Sequence, residues 1–282
     1  MAKSDFILPS KNGETKWLGG VEEAGAGWFI AQAAKEQQGL SVVICKDTNT
    51  AQTLESEIRF FSADQPIEIL PFPDWETLAY DNFSPHQDII STRLTTLHQL
   101  PLIKQGIIIV PVSTFMHRIV PHQFLVANTL LLSKGQTIDV DKLRTQLVQA
   151  GYNAVDNVYS HGEFAMRGSI IDLFPMGSKH PFRIDLFDDE IDSLRTFDAD
   201  TQRSIEQIEQ IRLLPAREFP LTESAIRTFK SKWRERFDVT PKSCPTYQDV
   251  SNGFAPAGIE YYLPLFFEET STLFDYLPAD AL

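Results

Sequence analysis

Apolar and polar positions follow two different periods along this chain, and the switches between them outline its elements. Trp28–Gln38 is helical by composition, Leu40–Cys45 is a continuous apolar run of strand length, and Thr48–Phe61 sets Leu54, Ile58 and Phe61 at helical spacing. Ile67–Leu70 returns to a strand pattern. Beyond the loop Pro71–Pro85, Asp88–Leu100 predicts a helix with Ile89, Leu94 and Leu97 toward the core. Gly106–Val110 predicts an apolar strand ending at Pro111, and Ser113–Ile119 a short helix before Pro121. Strands alternating with helices imply parallel strands joined by crossover helices, so residues 1–122 read as the first part of an α/β domain.

From Gln123 the texture changes. Leu130–Leu132 reads as a strand and Thr137–Gly151 as a helix, with Asp139 or Asp141 as its cap, Leu143, Leu147 and Ala150 along one face, and Gly151 at its end. A strand is predicted at Asn153–Tyr159, followed by three more at Arg167–Phe174, Pro181–Asp188 and Ile191–Asp198. Pro175, Gly177 and Ser178 break the first of these from the second, and Asp188, Asp189 and Glu190 mark the next bend. Ile205–Leu213 reads as a strand returning to the first domain, and Pro215–Pro220 as a connector. Residues 123–214 therefore form an inserted, smaller α+β domain, and residues 215–282 the second part of a discontinuous α/β domain.

Side chains two apart share a face of a strand. Arg183, Asp185 and Phe187 then point one way, and Phe182, Ile184 and Leu186 point toward the core. An aromatic beside a guanidinium on a polar face has the composition of a protein-binding hot spot, although Phe187 could equally pack beneath a neighbouring loop. In the last segment, Ile226, Phe229, Trp233 and Phe237 give Thr222–Phe237 one buried helical face, while Ser251–Tyr262 and Pro264–Phe267 are expected to cover the α/β core.

The chain has 282 residues, 25 of them basic and 38 acidic, for a net charge of −13. That balance opposes accumulation on nucleic acid, where Lys and Arg must displace counterions from phosphates. The most basic run, Arg227, Lys230, Lys232, Arg234 and Arg236, therefore reads as a solvated helix face rather than a DNA contact. No apolar run is long enough for a membrane span and no signal-peptide pattern opens the chain, which points to the cytoplasm. Cys45 and Cys244 lack the spacing of a zinc site or disulfide framework. The aromatic and acidic loop Asp74–Asp88 lacks a partner base or metal-ligand spacing, and structural packing is its expected role. No cofactor or metal is expected.

A parallel sheet invites a search for a phosphate loop, and the candidate is GVEEAGAG, from Gly20 to Gly27. Against G-x-x-x-x-G-K-[ST], the glycines fall at Gly20 and Gly25, but Ala26 stands in the lysine position and Gly27 in the hydroxyl position. The cation for the β and γ phosphates and the ligand for magnesium are both missing, and Glu22 and Glu23 add repulsion. By itself the segment could be an ordinary glycine-rich turn.

The strings RGSIIDLFPMGS and FRIDLFDDEIDSLRTFD resemble UvrB, the damage-recognition subunit of bacterial nucleotide excision repair, in the domain that docks onto UvrA. LPFPDWETLAYDNFSPHQDIISTRLTTLHQL, VPVSTFMHRIVPHQFL and PAGIEYYLPLFFEETSTLFDYLP resemble the amino-terminal, UvrB-like module of the transcription-repair coupling factors. The resemblance spans nearly all of the chain. It implies a degenerate P-loop, helicase-type α/β fold in which Gly20–Gly27 is a decayed ATP site, with no room for the DNA-gripping hairpin of UvrB. It further implies UvrA as partner, contacted through Arg167, Arg183 and Phe187, although spacing alone does not place Arg167 on the surface shared by the other two. The family's chain runs on past TLFDYLPADAL into another core strand, so a piece of a longer protein is expected, with RNA polymerase and DNA met only through other regions.

Three functions from different classes follow. The first is a non-catalytic docking module that recruits UvrA in transcription-coupled repair. The second is a fragment of an ATP-driven DNA motor, against which Ala26 and Gly27 count directly. The third is an intramolecular regulatory module, its docking surface masked by the carboxy-terminal domain of the full-length protein.

Overall fold

In the computed structural model, residues 8–281 are described apart from 10, 12, 22, 23, 38, 80 and 280. The chain divides into two compact units, Met1–Asp74 with Gln99–Phe115 and Leu277–Leu282, and Trp75–His98 with Met116–Tyr276. Helices and both parallel and antiparallel strands are present, so the fold is mixed α/β.

The first unit is built on three parallel strands, β1 (Leu40–Cys45), β2 (Ile69–Pro71) and β3 (Gly106–Pro111), in the order β1-β3-β2. Leu40 to Cys45 pair in register with Gly106 to Pro111, and Ile69 pairs with Ile107. Helices α1 (Gly25–Glu36) and α2 (Thr48–Phe61) supply the apolar side chains that pack with the sheet, in a cluster of Ala31, Ala34, Cys45, Ile58, Ile69, Ile107 and Ile109. The start of α2 is fixed by Asp47, whose carboxylate accepts from the Thr50 N–H at 2.8 Å. The second strand begins later than the predicted Ile67, which is half-buried.

α1 starts at Gly25 rather than Trp28, which places Gly25 and Gly27 inside the helix. Gly20 lies in an irregular stretch at φ +70°, and Glu22 and Glu23 are outside the described residues. Gly27 has a packing reason. A Cβ there would lie 2.3 Å from the Glu57 Cβ on α2, so the glycine permits the close approach of the two helices.

Helix α3 (Gln87–Gln99) belongs to the second unit through His98. The short α4 (Val112–Phe115) stops well before Ile119, because the Ile119 backbone is taken up in a bridge with Ser271. A further helix, α5 (His122–Ala127), follows Pro121 and was not evident from the periodicity. Strand β4 (Leu130–Ser133) leads to α6 (Val140–Gln149), whose cap is Asp139, accepting from the Lys142 N–H at 2.9 Å.

The centre of the second unit is a six-stranded sheet of β5 (Asn153–Ala154), β6 (Glu163–Arg167), β7 (Ile170–Leu173), β8 (Phe182–Phe187), β9 (Glu190–Phe197) and β10 (Ser204–Ile208). The order is β10-β9-β8-β7-β6-β5, with only β5 and β6 parallel. Two expectations are corrected here. The predicted strand Asn153–Tyr159 ends at Ala154, and at the far end of its range Glu163 turns the chain by accepting from the Tyr159 and Ser160 N–H groups at 2.8 and 2.9 Å. The predicted strand Ile205–Leu213 is two strands, β10 and β11 (Gln210–Leu213), and β11 pairs with β4 in a separate sheet.

The connector after β11 holds a buried polar centre. Glu218 accepts from Arg93 Nε at 3.0 Å and from the Trp75 indole N–H at 2.7 Å, and the Arg93 guanidinium lies 4.9 Å from the Trp75 ring centroid. All three are buried, which explains the structural role of the start of the aromatic loop. Helix α7 (Glu223–Arg236) buries Phe229 and Trp233 as its spacing predicts, leaves Ile226 and Phe237 half-buried, and buries Ala225 as well. These pack with Phe219, Tyr247, Val250, Ile259, Leu265 and Phe266 into a core of their own, including α8 (Pro245–Ser251). The expectation that residues 251–267 cover the α/β core is corrected accordingly. No helix among the described residues is long and apolar enough to cross a membrane.

Candidate partner-docking face

The six-stranded sheet has one apolar face and one face on which charges converge. β6 and β7 join through a two-residue turn, Gly168–Ser169, with Gly168 at φ +60°. The expected strand Arg167–Phe174 is therefore the end of one strand, a turn and the next strand. This hairpin sets the cross-strand rows. Ala165 faces Asp172, Asp172 faces Arg183, and Arg183 faces Arg195. In the neighbouring row, Arg167 faces Ile170, Ile170 faces Asp185, and Asp185 faces Ser193. Since alternate residues share a face, Arg167 and Arg183 stand on the same side of the sheet. On the opposite side, Ile171, Ile184 and Leu194 are in register and fully buried.

Beyond Asp185 the pairing shifts by a bulge, after which Phe187 pairs with Glu190 across the turn Asp188–Asp189. Asp188 takes φ +56°, a conformation an Asp tolerates better than most non-glycine residues. Phe187 is 75% exposed, so it does not pack beneath a neighbouring loop.

Asp172 lies at the middle of the charged rows with a side chain 0% exposed. Arg183 meets it with two bonds, Nε to Oδ1 at 2.7 Å and Nη2 to Oδ2 at 2.9 Å. Arg167 Nη2 donates to the same Oδ2 at 2.5 Å, and its Nη1 donates to the Asp156 carbonyl at 2.6 Å and to Asn157 Oδ1 at 2.9 Å. Two cations thus flank one buried carboxylate, an arrangement in which the desolvated charge is paired and hydrogen-bonded. The bond to Asp172 raises the pKa of Arg183 above its ordinary value, against the opposing effect of burial.

The Arg183 guanidinium also lies 4.7 Å from the Phe197 ring centroid, a cation–π distance. Phe197 belongs to a small cluster with Val158, Ala165 and Phe174. Arg195 pairs with Asp185, which also accepts from Ser193 Oγ at 2.9 Å. Sequence reasoning set Asp185 on the face of Arg183 but missed Asp172 and Arg195 as members of this cluster. The available signal was Asp172 itself, a carboxylate within the apolar run Ile170–Leu173.

The basic run on α7 is partly consumed internally. Lys232 Nζ donates to the Phe267 and Glu268 carbonyls at 2.5 and 2.7 Å, and Arg234 donates to the Tyr247 hydroxyl at 2.9 Å. Cys45 and Cys244 are free, and no group of His, Cys, Asp or Glu among the described residues could hold a metal ion. The chemistry the charged face supports is recognition, with oriented N–H donors and, farther along β8, an exposed aromatic ring.

Residues 130–219, which span β4 to the buried Glu218, match the family model of the UvrB interaction domain. The whole chain is similar to curated transcription-repair-coupling factors. It is 51% identical to that of Escherichia coli K12 over 98% of this chain and 24% of the relative. It is 47% identical to that of Haemophilus influenzae over 98% and 24%, and 30% identical to that of Staphylococcus haemolyticus over 93% and 23%. The chain spans about a quarter of the length of these relatives. It is therefore a homologue of the amino-terminal region of the transcription-repair-coupling factors and carries a UvrB interaction domain within it.

Proposed function

We propose that this chain is a non-catalytic docking module that recruits UvrA in transcription-coupled nucleotide excision repair. The observation that carries the proposal is the face formed by Arg167, Arg183 and Phe187 inside the region matched by the UvrB interaction domain. An exposed ring on the same strand as a guanidinium that is already oriented supplies area to desolvate and donors for partner acceptors. Residues 123–214 would form the docking domain, and contacts with RNA polymerase or DNA would come through other parts of the full-length protein.

In this reading the α/β part descends from a P-loop, helicase-type scaffold whose nucleotide site has decayed. Ala26 lacks the cation, Gly27 lacks the hydroxyl, and the glycine at 27 is explained by helix packing against Glu57. Hydrogen exchange of the chain with and without UvrA tests the docking assignment. Protection concentrated on β6 to β9 is expected, and protection confined to the first unit would overturn it.

A further inference from the structure

Asp172 is inaccessible to any partner, its side chain being 0% exposed, yet it touches both arginines of the docking face. A guanidinium has five N–H donors. Arg167 directs three bonds within the chain, one to the buried Asp172 and two to the exposed Asp156 carbonyl and Asn157. Arg183 also directs three, two to Asp172 and a longer one of 3.4 Å to the Gln202 carbonyl. The remaining N–H groups of each meet no acceptor among the described residues. The donors left over are the Nε–H and one Nη2 hydrogen of Arg167, whose side chain is 44% exposed, and one hydrogen on each Nη of Arg183, whose side chain is 18% exposed.

Free arginines must lose rotamer freedom when a partner orders them. A carboxylate that holds two of them before binding removes that cost from the encounter. We infer that Asp172 is a positioning residue for partner docking, fixing Arg167 and Arg183 as a preset pair that presents its spare N–H groups to acceptors of the partner. The inference rests on the docking reading above. It assigns Asp172 a role exerted through the arginines and separate from Phe187, which lies farther along β8 and belongs to neither ion pair.

The test is calorimetric titration with UvrA of the parent chain, Asp172→Asn, Arg167→Ala, Phe187→Ala and the two double variants that include Asp172→Asn. Asp172→Asn should bind about tenfold more weakly, the scale of a lost charge-assisted hydrogen bond. Its effect should shrink when Arg167 is already Ala and persist in full when Phe187 is already Ala, because coupling is confined to residues that share a partner. Full additivity with Arg167→Ala would overturn the inference while leaving the docking reading in place. No binding by the parent would overturn both, and the parent titration alone would reveal it. A second measurement needs no variant at Asp172. The Arg183 Nε–H resonance of the free parent should exchange slowly and keep its position when UvrA is added, whereas an averaged, rapidly exchanging resonance in the free chain would overturn a preset pair.

Discussion

Arg183 and Asp172 face each other across β8 and β7 and are joined by two N–H···O bonds of 2.7 and 2.9 Å. This pair gives Arg183 a structural duty that precedes any partner contact. Replacing Arg183 by Glu would set a second carboxylate against one that is already fully buried. The expected cost is about 3–5 kcal/mol of stability, toward the lower end because Arg167 still reaches Asp172. Urea denaturation of the parent and Arg183→Glu checks this, and a difference under about 1 kcal/mol would contradict a buried, mutually dependent pair. Lost UvrA binding in that variant would therefore not by itself locate the interface.

Gly27 and Glu57 mark a close approach of α1 and α2, since a Cβ on residue 27 would lie 2.3 Å from the Glu57 Cβ. Gly27→Ala should destabilise the first unit by about 1–3 kcal/mol through overpacking. A thermal melt followed by circular dichroism should show this with no nucleotide added. A variant as stable as the parent would contradict the packing role of Gly27.

Glu260 provides a pH test. Burial raises its pKa above the ordinary value of 4.5, with smaller opposing effects from its own backbone, from Ser84 Oγ at 3.1 Å and from Arg217. A raised folded-state pKa means that the protonated form favours the fold. Its contribution is fully present below the unfolded pKa and is lost as pH rises through the folded value. Glu260→Gln, which keeps an acceptor for Ser84, should therefore melt higher than the parent at pH 7, with the difference fading below about pH 4. A gap that widened toward low pH would contradict the sign.

Much of the fold was legible because local signals and tertiary packing agree. In α2 the buried Ile58 lies where periodicity puts it, and Phe229 and Trp233 do the same for α7. Two of the misread segments are ones in which a strand pattern runs through a change of partner. Gly168–Ser169 interrupts an alternation that otherwise continues from Arg167 to Phe174, and Glu209 separates two strands that join different sheets. Sequence period reports which face a residue occupies but not which strand lies beside it. For that reason Arg183 and Phe187 could be set on one face by counting, whereas the placement of Arg167 needed the β6–β7 register. The buried contact of Arg93 with Glu218, 125 residues apart, had no local signal at all.

Phe187 is the residue on which the docking claim can be tested with least disturbance to the fold, because it is 75% exposed and belongs to none of the ion pairs. Phe187→Ala should leave stability within about 0.5 kcal/mol of the parent, as surface substitutions generally do. Titration of UvrA into the two proteins is the decisive measurement. The parent should bind and Phe187→Ala should bind about thirtyfold more weakly, which corresponds to the loss of about 2 kcal/mol expected when an aromatic hot spot is truncated. Equal affinities in two equally stable proteins would contradict the assignment of this face to UvrA.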